Sequence, residues 1–490
     1  MRLFIASSLG LATGIFGFAA GAALPGSLWT AALVGGFAAV LVTWWVYSSH
    51  LLPVDESAAS RGLKIVSGVA TVVALVQLLR LVVFIVDPTR VVCSFMPASR
   101  WEIEHSCLSA YYVSAKAAAT VPDIYDDSLF TMPDDDPTRI RNPRMIGPFK
   151  IDVFEYPPPF LLLTRGLLLL APEFLDHRML WFGLSGMVVL LAFVVVARFL
   201  SPHAGTRALL LSPLVWVALP TISTFQKGNV QVLVIAASML AMVLFERRHF
   251  AAGGGLLAFV AMGKIYPGML VIYLVAQRRW RALAWTIAAG LTFLSLSLLD
   301  TGWPPYVAFL RHLPAILGGE SFPAFRNPAA MANNFSIPGL VFKLKLLGVP
   351  GMSFAVSKAV GWAYTLVVIA VTVVLGRRAV GDDRKPLVWM AILLLATLRS
   401  PFLPPAYAVF PPLWLLTLLA ATKAPTARAI ALLLAAWAVL NVYWAQDWPV
   451  DPRLLVIAVV VPQAVTVALS VLAIRRVVAS VPGSPSPRST

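Results

Sequence analysis

The sequence predicts an all-α polytopic membrane protein of about 12–14 transmembrane or partial helices. Of its 490 residues, 59% are hydrophobic and only 12% are charged, whereas soluble domains carry about 25% charged residues. The basic residues lie in short clusters between apolar runs, as in cytoplasmic loops under the positive-inside rule. The net charge of +16 therefore indicates membrane topology and not a nucleic-acid partner.

The first 63 residues form an N-terminal unit with two apolar runs, residues 3–22 and 27–47. The first run has a short basic start and an end rich in Ala and Gly, which is also typical of a signal peptide. A second run follows at once, so we favour a transmembrane hairpin with a cytoplasmic linker.

Basic residues then set the order of the spans in the main domain, residues 64–476. Arg61 and Lys64 precede the next apolar run, which places the long polar loop 87–157 outside. The later basic clusters alternate with apolar segments in a way that keeps all of them inside. The tail, residues 477–490, is rich in Pro and Ser, and we expect it to be disordered and cytoplasmic.

Several apolar segments are shorter than the roughly 20 residues of a span. Residues 157–171 are expected to form a partial helix on the outer side. Residues 251–263 and 265–275 meet at Lys264. Broken helices that meet at a polar residue usually line a cavity, because irregular backbone in a membrane needs polar partners.

Charges of both signs converge on the outer side in this topology. The 87–157 loop holds eleven of the 22 carboxylates, including the run Asp134–Asp136, which we interpret as solvated. Lys227, Lys264 and Arg399 fall at the outer ends of helices, where cations near lipid indicate function. No ligand spacing demands a metal. Cys93 and Cys107 share the loop, as a disulfide or as two thiols.

A carboxylate beside cations at the membrane surface suits transfer from a lipid-phosphate donor. The cations would hold the phosphate as ligand and leaving group. The carboxylate would take the proton of an acceptor hydroxyl.

The order of several short motifs resembles the polytopic glycosyltransferases of the GT-C superfamily, most closely family 87, over about residues 110–418. The matching pieces are Tyr111-Tyr112, Ile124-Tyr125-Asp126, Tyr156-Pro157-Pro158-Pro159, Lys227-Gly228-Asn229, a Gly-rich helix ending in Lys264-x-x-Pro267, Asn334-Phe335-Ser336, and Ser400-Pro401 with Tyr407 and Pro411. The family includes polyprenyl-phosphate-mannose-dependent mannosyltransferases. The resemblance therefore implies a GT-C-like fold and a sugar donor linked to a polyprenyl phosphate.

The sequence departs from the family where the catalytic base is expected. The family's acidic residue would fall near Cys107, so Glu104, Glu102 and Asp87 are the candidates for the base. Glu104 comes first, because one helical turn could bring it to a similar point; its alternative role is to pair with Arg100. Asp87 is alternatively the boundary residue of a helix. The family's Trp-Asp-His-Tyr is replaced by a stretch ending in Tyr407.

The remaining site candidates are ligands of the donor or of the acceptor. Lys264, Lys227 and Arg399 are expected to bind the donor phosphate. Their alternative is a cation that extends from a helix end to the interface. The further substrate-binding candidates are Asn229, Asn334, Tyr112 and His105.

The resulting hypothesis is a multi-pass enzyme of the cell membrane whose active site is extracytoplasmic. It would move a sugar, with mannose as the leading candidate, to a glycolipid or glycan acceptor. The polyprenyl-phosphate sugar would be the donor substrate, and no further cofactor is expected. The oligomeric state is open. The competing hypotheses are a lipid or glycan transporter or flippase, which would need a polar path at the midplane, and a non-catalytic lipid-binding relative.

Overall fold

The computed structural model describes residues 1–49, 52, 54–133 and 141–479. The acidic run 134–136 and the tail from residue 480 lie outside the described residues. Among the described residues, seven helices are long and apolar enough to cross a membrane, or eight if one bent pair is a single span. The prediction of an all-α polytopic membrane protein is confirmed.

The N-terminal part consists of three helices that are long and apolar enough to cross a membrane. These helices are α1 (Arg2–Ala22), α2 (Leu28–Ser48) and α3 (Arg61–Val86). The ring of Phe16 on α1 lies 5.3 Å from that of Phe182. A side chain at Gly183 would meet the carbonyl oxygen of Phe16 at 2.6 Å, so this glycine permits the close approach of α1.

The 87–157 loop is folded around a small sheet. Its elements, with the partial helix that follows, are α4 (Arg100–Glu104), β1 (His105–Ser106), α5 (Cys107–Ala117), β2 (Met145–Ile146), β3 (Phe149–Ile151) and α6 (Leu161–Leu168). Strand β3 is central: it pairs with β1 in parallel, His105 opposite Lys150, and with β2 antiparallel. Helix α6 is too short to span, as predicted.

The centre of the bundle is built from one long helix, a bent helix and a buried helix. These are α7 (Phe174–Phe199), then α8 (Pro202–Leu211), α9 (Pro213–Trp216) and α10 (Leu219–Lys227), then α11 (Gln231–Glu246). The bend between α9 and α10 is 67°. Proline opens each of these three short segments within its first two positions, where its missing N–H disturbs no helical bond.

The predicted pair of broken helices is present. It comprises α12 (Phe250–Gly263) and α13 (Gly268–Ala276), followed by α14 (Trp280–Thr301). Helix α12 ends at Lys264, whose backbone is extended. The outer segment that follows holds α15 (Pro304–Gly318), α16 (Pro328–Ala332) and α17 (Leu340–Leu346).

The C-terminal part completes the bundle. Its helices are α18 (Phe354–Gly376), α19 (Lys385–Thr397), α20 (Pro405–Ala408), α21 (Phe410–Ala421), α22 (Ala427–Leu440) and α23 (Pro452–Val478). Trp389 of α19 and Trp414 of α21 are each 1% exposed, which places the apolar core at these helices.

The basic clusters gather at one end of the bundle, which we call the basic end. Arg279 and Lys385 both pair with Glu246. Arg207 donates to the carbonyl oxygen of Lys423 at 2.8 Å. Helix α7 runs from the 87–157 loop to this end, so the loop lies at the opposite end, called the polar end. The predicted segregation of charge between two faces is therefore present in the fold.

Candidate active site

A cavity of about 580 Å³ opens at the polar end between the 87–157 loop and the ends of α10, α12 and α19. Its walls combine apolar and aromatic groups with a concentrated polar set. The polar lining residues include His105, Cys107, Arg141, Lys150, Asp152, Glu155, Lys227, Asn229, Gln231, Lys264, Asn333, Arg399 and Tyr407. Residues far apart in sequence thus meet in one place.

Lys264 and Arg399 line the cavity without an ion-pair partner among the described carboxylates. The same holds for Arg141, which donates to Thr131 Oγ1 and to the carbonyl oxygen of Phe130. Lys264 Nζ donates to Gln231 Oε1 at 3.0 Å and lies 5.5 Å from the ring centre of Tyr156. Arg399 Nε donates to Thr365 Oγ1 at 2.8 Å and stacks over Trp362. Neutral partners orient these side chains while leaving their charge available for an anionic ligand.

Lys227 also lines the cavity, but its charge is neutralised. Its Nζ lies 3.0 and 2.9 Å from the two carboxylate oxygens of Glu102, and both side chains are almost fully buried. Tyr443 and Ser223 complete the hydrogen bonds of this pair. The pair therefore joins the loop to α10, and Lys227 offers less positive charge to a ligand than Lys264 and Arg399 do.

Asp152 and Glu155 bring carboxylates into the cavity. The Asp152 oxygen lies 3.7 Å from His105 Nε2. Glu155 receives one long hydrogen bond from Ser321, at 3.5 Å. Burial, and then the neighbouring charge of Asp152, raise the pKa of Glu155 well above that of an ordinary glutamate. The two carboxylates thus differ: Asp152 faces a histidine, whereas the Ser321 contact is the one hydrogen bond of Glu155 within the described residues.

His105 and Cys107 occupy the wall beside Asp152. Cys107 Sγ lies 3.6 Å from His105 Nε2 and 2.8 Å from the Tyr407 hydroxyl. Burial lowers the pKa of His105 to about 4, so its imidazole is neutral. Cys93 and Cys107 are both free thiols. The sequence left open a disulfide or two thiols, and the structure has two thiols.

The three carboxylates predicted as the base lie outside the cavity lining. Glu104 pairs with Arg100 at 2.5 Å and with Lys150 at 2.8 Å, which is its alternative role. Both carboxylate oxygens of Glu102 contact Lys227 Nζ in the buried ion pair described above. Asp87 ends α3 and accepts hydrogen bonds from Thr89. Among the described carboxylates, Asp152 and Glu155 line this cavity instead.

Of the other residues predicted to bind substrate, some line the cavity and others lie outside it. His105 and Asn229 line the cavity. Asn334 is fully buried, where it binds the carbonyl oxygen of Pro401 and the N–H of Leu403, so it holds two chain segments together. The hydroxyl of Tyr112 donates to Pro172 at 2.6 Å, away from the cavity. Its neighbour Tyr111 is the one that lines the cavity.

Asp152, Glu155, Arg141 and Lys150 are the charged lining residues that the sequence prediction did not name as site candidates. A usable signal was present for two of them. Residues 149–152, Phe-Lys-Ile-Asp, alternate apolar and polar, which predicts a strand with Lys150 and Asp152 on one face. The face is recognisable from the sequence, whereas its direction towards α10 and α19 is not.

These observations define an all-α membrane protein with a polar cavity of cations and carboxylates at one end of the bundle. The family model of glycosyltransferase family 87 matches residues 154–403, which is 250 of the 490 residues. The chain belongs to glycosyltransferase family 87, and it is a membrane glycosyltransferase.

The match includes Tyr156, Lys227, Lys264, Asn334 and Ser400 of the motifs that predicted the family. The motif pieces before residue 154 and after residue 403 lie outside it. No curated protein matches the chain, and no solved structure does.

Proposed function

We propose that this glycosyltransferase moves a sugar from a polyprenyl-phosphate donor to a glycolipid or glycan acceptor at the extracytoplasmic face of the cell membrane. Mannose is the leading candidate for this sugar. One observation carries the proposal: two cations without a described carboxylate partner, Lys264 and Arg399, face the same cavity as Asp152 and Glu155. Cations for a phosphate and a carboxylate for a hydroxyl are the two groups this transfer needs.

The donor phosphate binds between Lys264 and Arg399 in this proposal. Charge-assisted hydrogen bonds to phosphate are stronger than neutral ones, and they strengthen as the leaving group gains charge. Ile265, Met269 and Trp362 add an apolar wall on this side of the cavity, which suits the first part of a lipid chain. No cofactor beyond the donor is needed for this binding.

Glu155 acts as the general base. In the part of the chain that the structure describes, its side chain has one long hydrogen bond, whereas Asp152 faces His105. The acceptor oxygen bonds to the anomeric carbon, the bond from that carbon to the phosphate oxygen breaks, and the hydroxyl proton passes to Glu155. The leaving group is the polyprenyl phosphate, held by the two cations. A raised pKa makes the ionised Glu155 a stronger base than an ordinary glutamate.

The extracytoplasmic side is supported by the opposite end of the molecule. Arg207, Arg279, Lys385 and Lys423 lie at the basic end. The positive-inside rule assigns such an end to the cytoplasm, so the cavity would face away from it.

The test of the base compares Glu155→Gln with Glu104→Gln, using radiolabelled polyprenyl-phosphate mannose and membrane extract as acceptor. Loss of a general base lowers the rate by about 100-fold or more. We therefore expect Glu155→Gln to lose transfer and Glu104→Gln to retain most of it. Transfer by the unmodified protein should rise with pH over a range above that of an ordinary glutamate, because the base must be deprotonated. Full activity of Glu155→Gln would contradict this role.

The same assay separates the enzyme from the transporter. Proteoliposomes that move the lipid-linked sugar across the bilayer without forming a glycosyl product would contradict the proposed transfer. Arabinose-loaded donor, run in parallel, tests the choice of mannose.

A further inference from the structure

We infer that His105, Cys107 and Asp152 form a binding site for one divalent transition-metal ion, with Zn²⁺ as the best-suited ion. These three side chains offer one nitrogen, one sulfur and one oxygen, and the three atoms lie within 4.8 Å of one another. Such a set is one that zinc sites use, with three protein ligands and one open position.

Two of the three separations between the ligand atoms fit a tetrahedral ion, and the third is within 4.8 Å. Zinc binds nitrogen and oxygen at about 2.0–2.2 Å and sulfur at about 2.3 Å, so two ligands at the tetrahedral angle lie roughly 3.4–3.6 Å apart. His105 Nε2 lies 3.6 Å from Cys107 Sγ and 3.7 Å from the Asp152 oxygen. Small side-chain movements would complete the coordination.

The small sheet creates this arrangement. His105 lies in β1 and Cys107 is the first residue of α5, and the turn from strand to helix leaves Cys107 Sγ 3.6 Å from His105 Nε2. Strand β1 pairs in parallel with β3, His105 opposite Lys150 and Ser106 opposite Ile151. The residues that follow β1 and β3 in the sequence are Cys107 and Asp152, so these two come next to each other. The N–H of Asp152 is held by Ser109 Oγ at 3.0 Å, which fixes its carboxylate beside the thiol.

The chemistry of the ligands favours zinc over magnesium or calcium. His105 supplies an imidazole nitrogen, which is the commonest metal ligand in proteins. Thiolate and imidazole prefer zinc, whereas Mg²⁺ and Ca²⁺ prefer oxygen ligands. On binding, the Cys107 thiol releases its proton to solvent, and the thiolate and carboxylate together balance the two positive charges of the ion.

The fourth coordination position faces the cavity, since all three ligands line it. There the ion would bind an acceptor hydroxyl and make its proton easier to remove by Glu155. This role rests on the proposed function, whereas metal binding itself does not. The Tyr407 hydroxyl lies 2.8 Å from Cys107 Sγ and would donate a hydrogen bond to the thiolate without binding the ion itself.

Cobalt binding tests the site without any assay of activity. The full-length protein is purified in detergent, treated with a chelator and titrated with Co²⁺. We expect one ion per chain and an absorption band from thiolate-to-cobalt charge transfer. Zn²⁺ should displace the cobalt and abolish the band. A protein that binds no Co²⁺, or binds it without a thiolate band, overturns the inference.

Matched variants assign the ligands. Cys107→Ser should lose the thiolate band, and Asp152→Asn should weaken binding at least tenfold, whereas Cys93→Ser, which removes the other thiol, should bind as the unmodified protein does. Cys107→Asp keeps an anionic ligand and should bind Co²⁺ with no thiolate band. Thermal unfolding of each metal-free variant identifies those that fail to fold. An unchanged thiolate band in folded Cys107→Ser overturns the assignment.

Glu155→Gln separates this inference from the proposed function. We expect it to bind Co²⁺ like the unmodified protein while losing transfer. If Glu155→Gln keeps both binding and transfer, the role of Glu155 as base fails and the metal site stands. If transfer depends on Glu155 but the unmodified protein binds no metal, the site fails and the base stands.

Discussion

The environment of each cation determines what it can do. Lys227 is paired with Glu102 in a nearly dry environment, and its charge serves to join the loop to α10. Lys264 and Arg399 are held by the neutral oxygens of Gln231 and Thr365. A cation held by a neutral oxygen keeps its charge for a ligand, so these two carry the proposed phosphate site.

Lys264→Gln and Arg399→Gln should each raise the KM for the polyprenyl-phosphate donor by roughly 10–100-fold. The reason is that a hydrogen bond to a charged group contributes about 1.5–3 kcal/mol. The measurement is initial transfer rate against donor concentration in detergent. Lys345→Gln is the control, because Lys345 is exposed on α17 and outside the cavity lining. An unchanged donor KM in both cavity variants would contradict the phosphate site.

Glu102→Gln should destabilise the protein by about 3–5 kcal/mol, because it leaves the buried ammonium of Lys227 without its counter-charge. The double variant Glu102→Leu with Lys227→Met should lose less, since no buried charge remains. The readout is the free energy of unfolding in a denaturant titration. Arg90→Gln, which breaks the exposed pair with Asp87, should leave the midpoint unchanged. Equal stability of Glu102→Gln and the unmodified protein would refute a structural role for the pair.

At the scale of elements, broken helices and one small sheet shape the site. Helix α10 stops at Gly228, whose φ of 67° is left-handed, and the chain then turns into α11. Helix α12 stops at Lys264, and α19 ends just before Arg399. Each break brings a polar residue to the cavity and leaves backbone groups facing it, which membranes tolerate only next to a polar space.

Gly228→Ala should destabilise the protein by about 1–2 kcal/mol from its left-handed backbone alone. The added Cβ would also lie 2.9 Å from the Leu108 Cβ, so α10 and the loop must separate. Gly255→Ala is the matched control: it lies inside α12 and its Cβ would meet nothing within 4 Å. It should stabilise the protein by about 0.5–1 kcal/mol. The two unfolding free energies should change in opposite directions; a shift of the same sign would contradict this.

At the scale of the whole molecule, charge is divided between two ends. The basic end collects ion pairs around Glu246, and the polar end holds the loop and the cavity. Apolar side chains such as Trp29 and Phe37 on α2 are largely exposed, as expected for a surface that faces lipid. This division makes the orientation of the chain in the membrane a testable property.

Single cysteines introduced into a background with both Cys93→Ser and Cys107→Ser should report that orientation in intact cells. Thr120 is an exposed residue of the 87–157 loop, so the cysteine of Thr120→Cys should react with a membrane-impermeant maleimide. Gly381→Cys lies in an exposed turn at the basic end and should react only after permeabilisation. The reverse pattern of labelling would place the cavity on the cytoplasmic side and contradict the proposed location.

The sequence by itself determined the membrane class, the segregation of charge and the convergence of Lys227, Lys264 and Arg399. Apolar runs and basic clusters are local properties, and the bilayer turns them directly into spans and sides. The hairpin, the partial helix after the loop and the break at Lys264 followed from the same rule. The resemblance that predicted family 87 also rested on short motifs in order.

Only the tertiary structure decided which carboxylates reach the cavity. Glu104 and Glu102 were chosen for their closeness in sequence to the family's acidic position. The pair of Glu104 with Arg100 was an alternative that the sequence offered, whereas the pairs of Glu104 with Lys150 and of Glu102 with Lys227 join residues distant in sequence. Asp152 arrives beside Cys107 because β1 and β3 pair across 45 residues. Strand pairing and ion pairing between distant residues depend on how the whole chain packs, so they are absent from any local pattern.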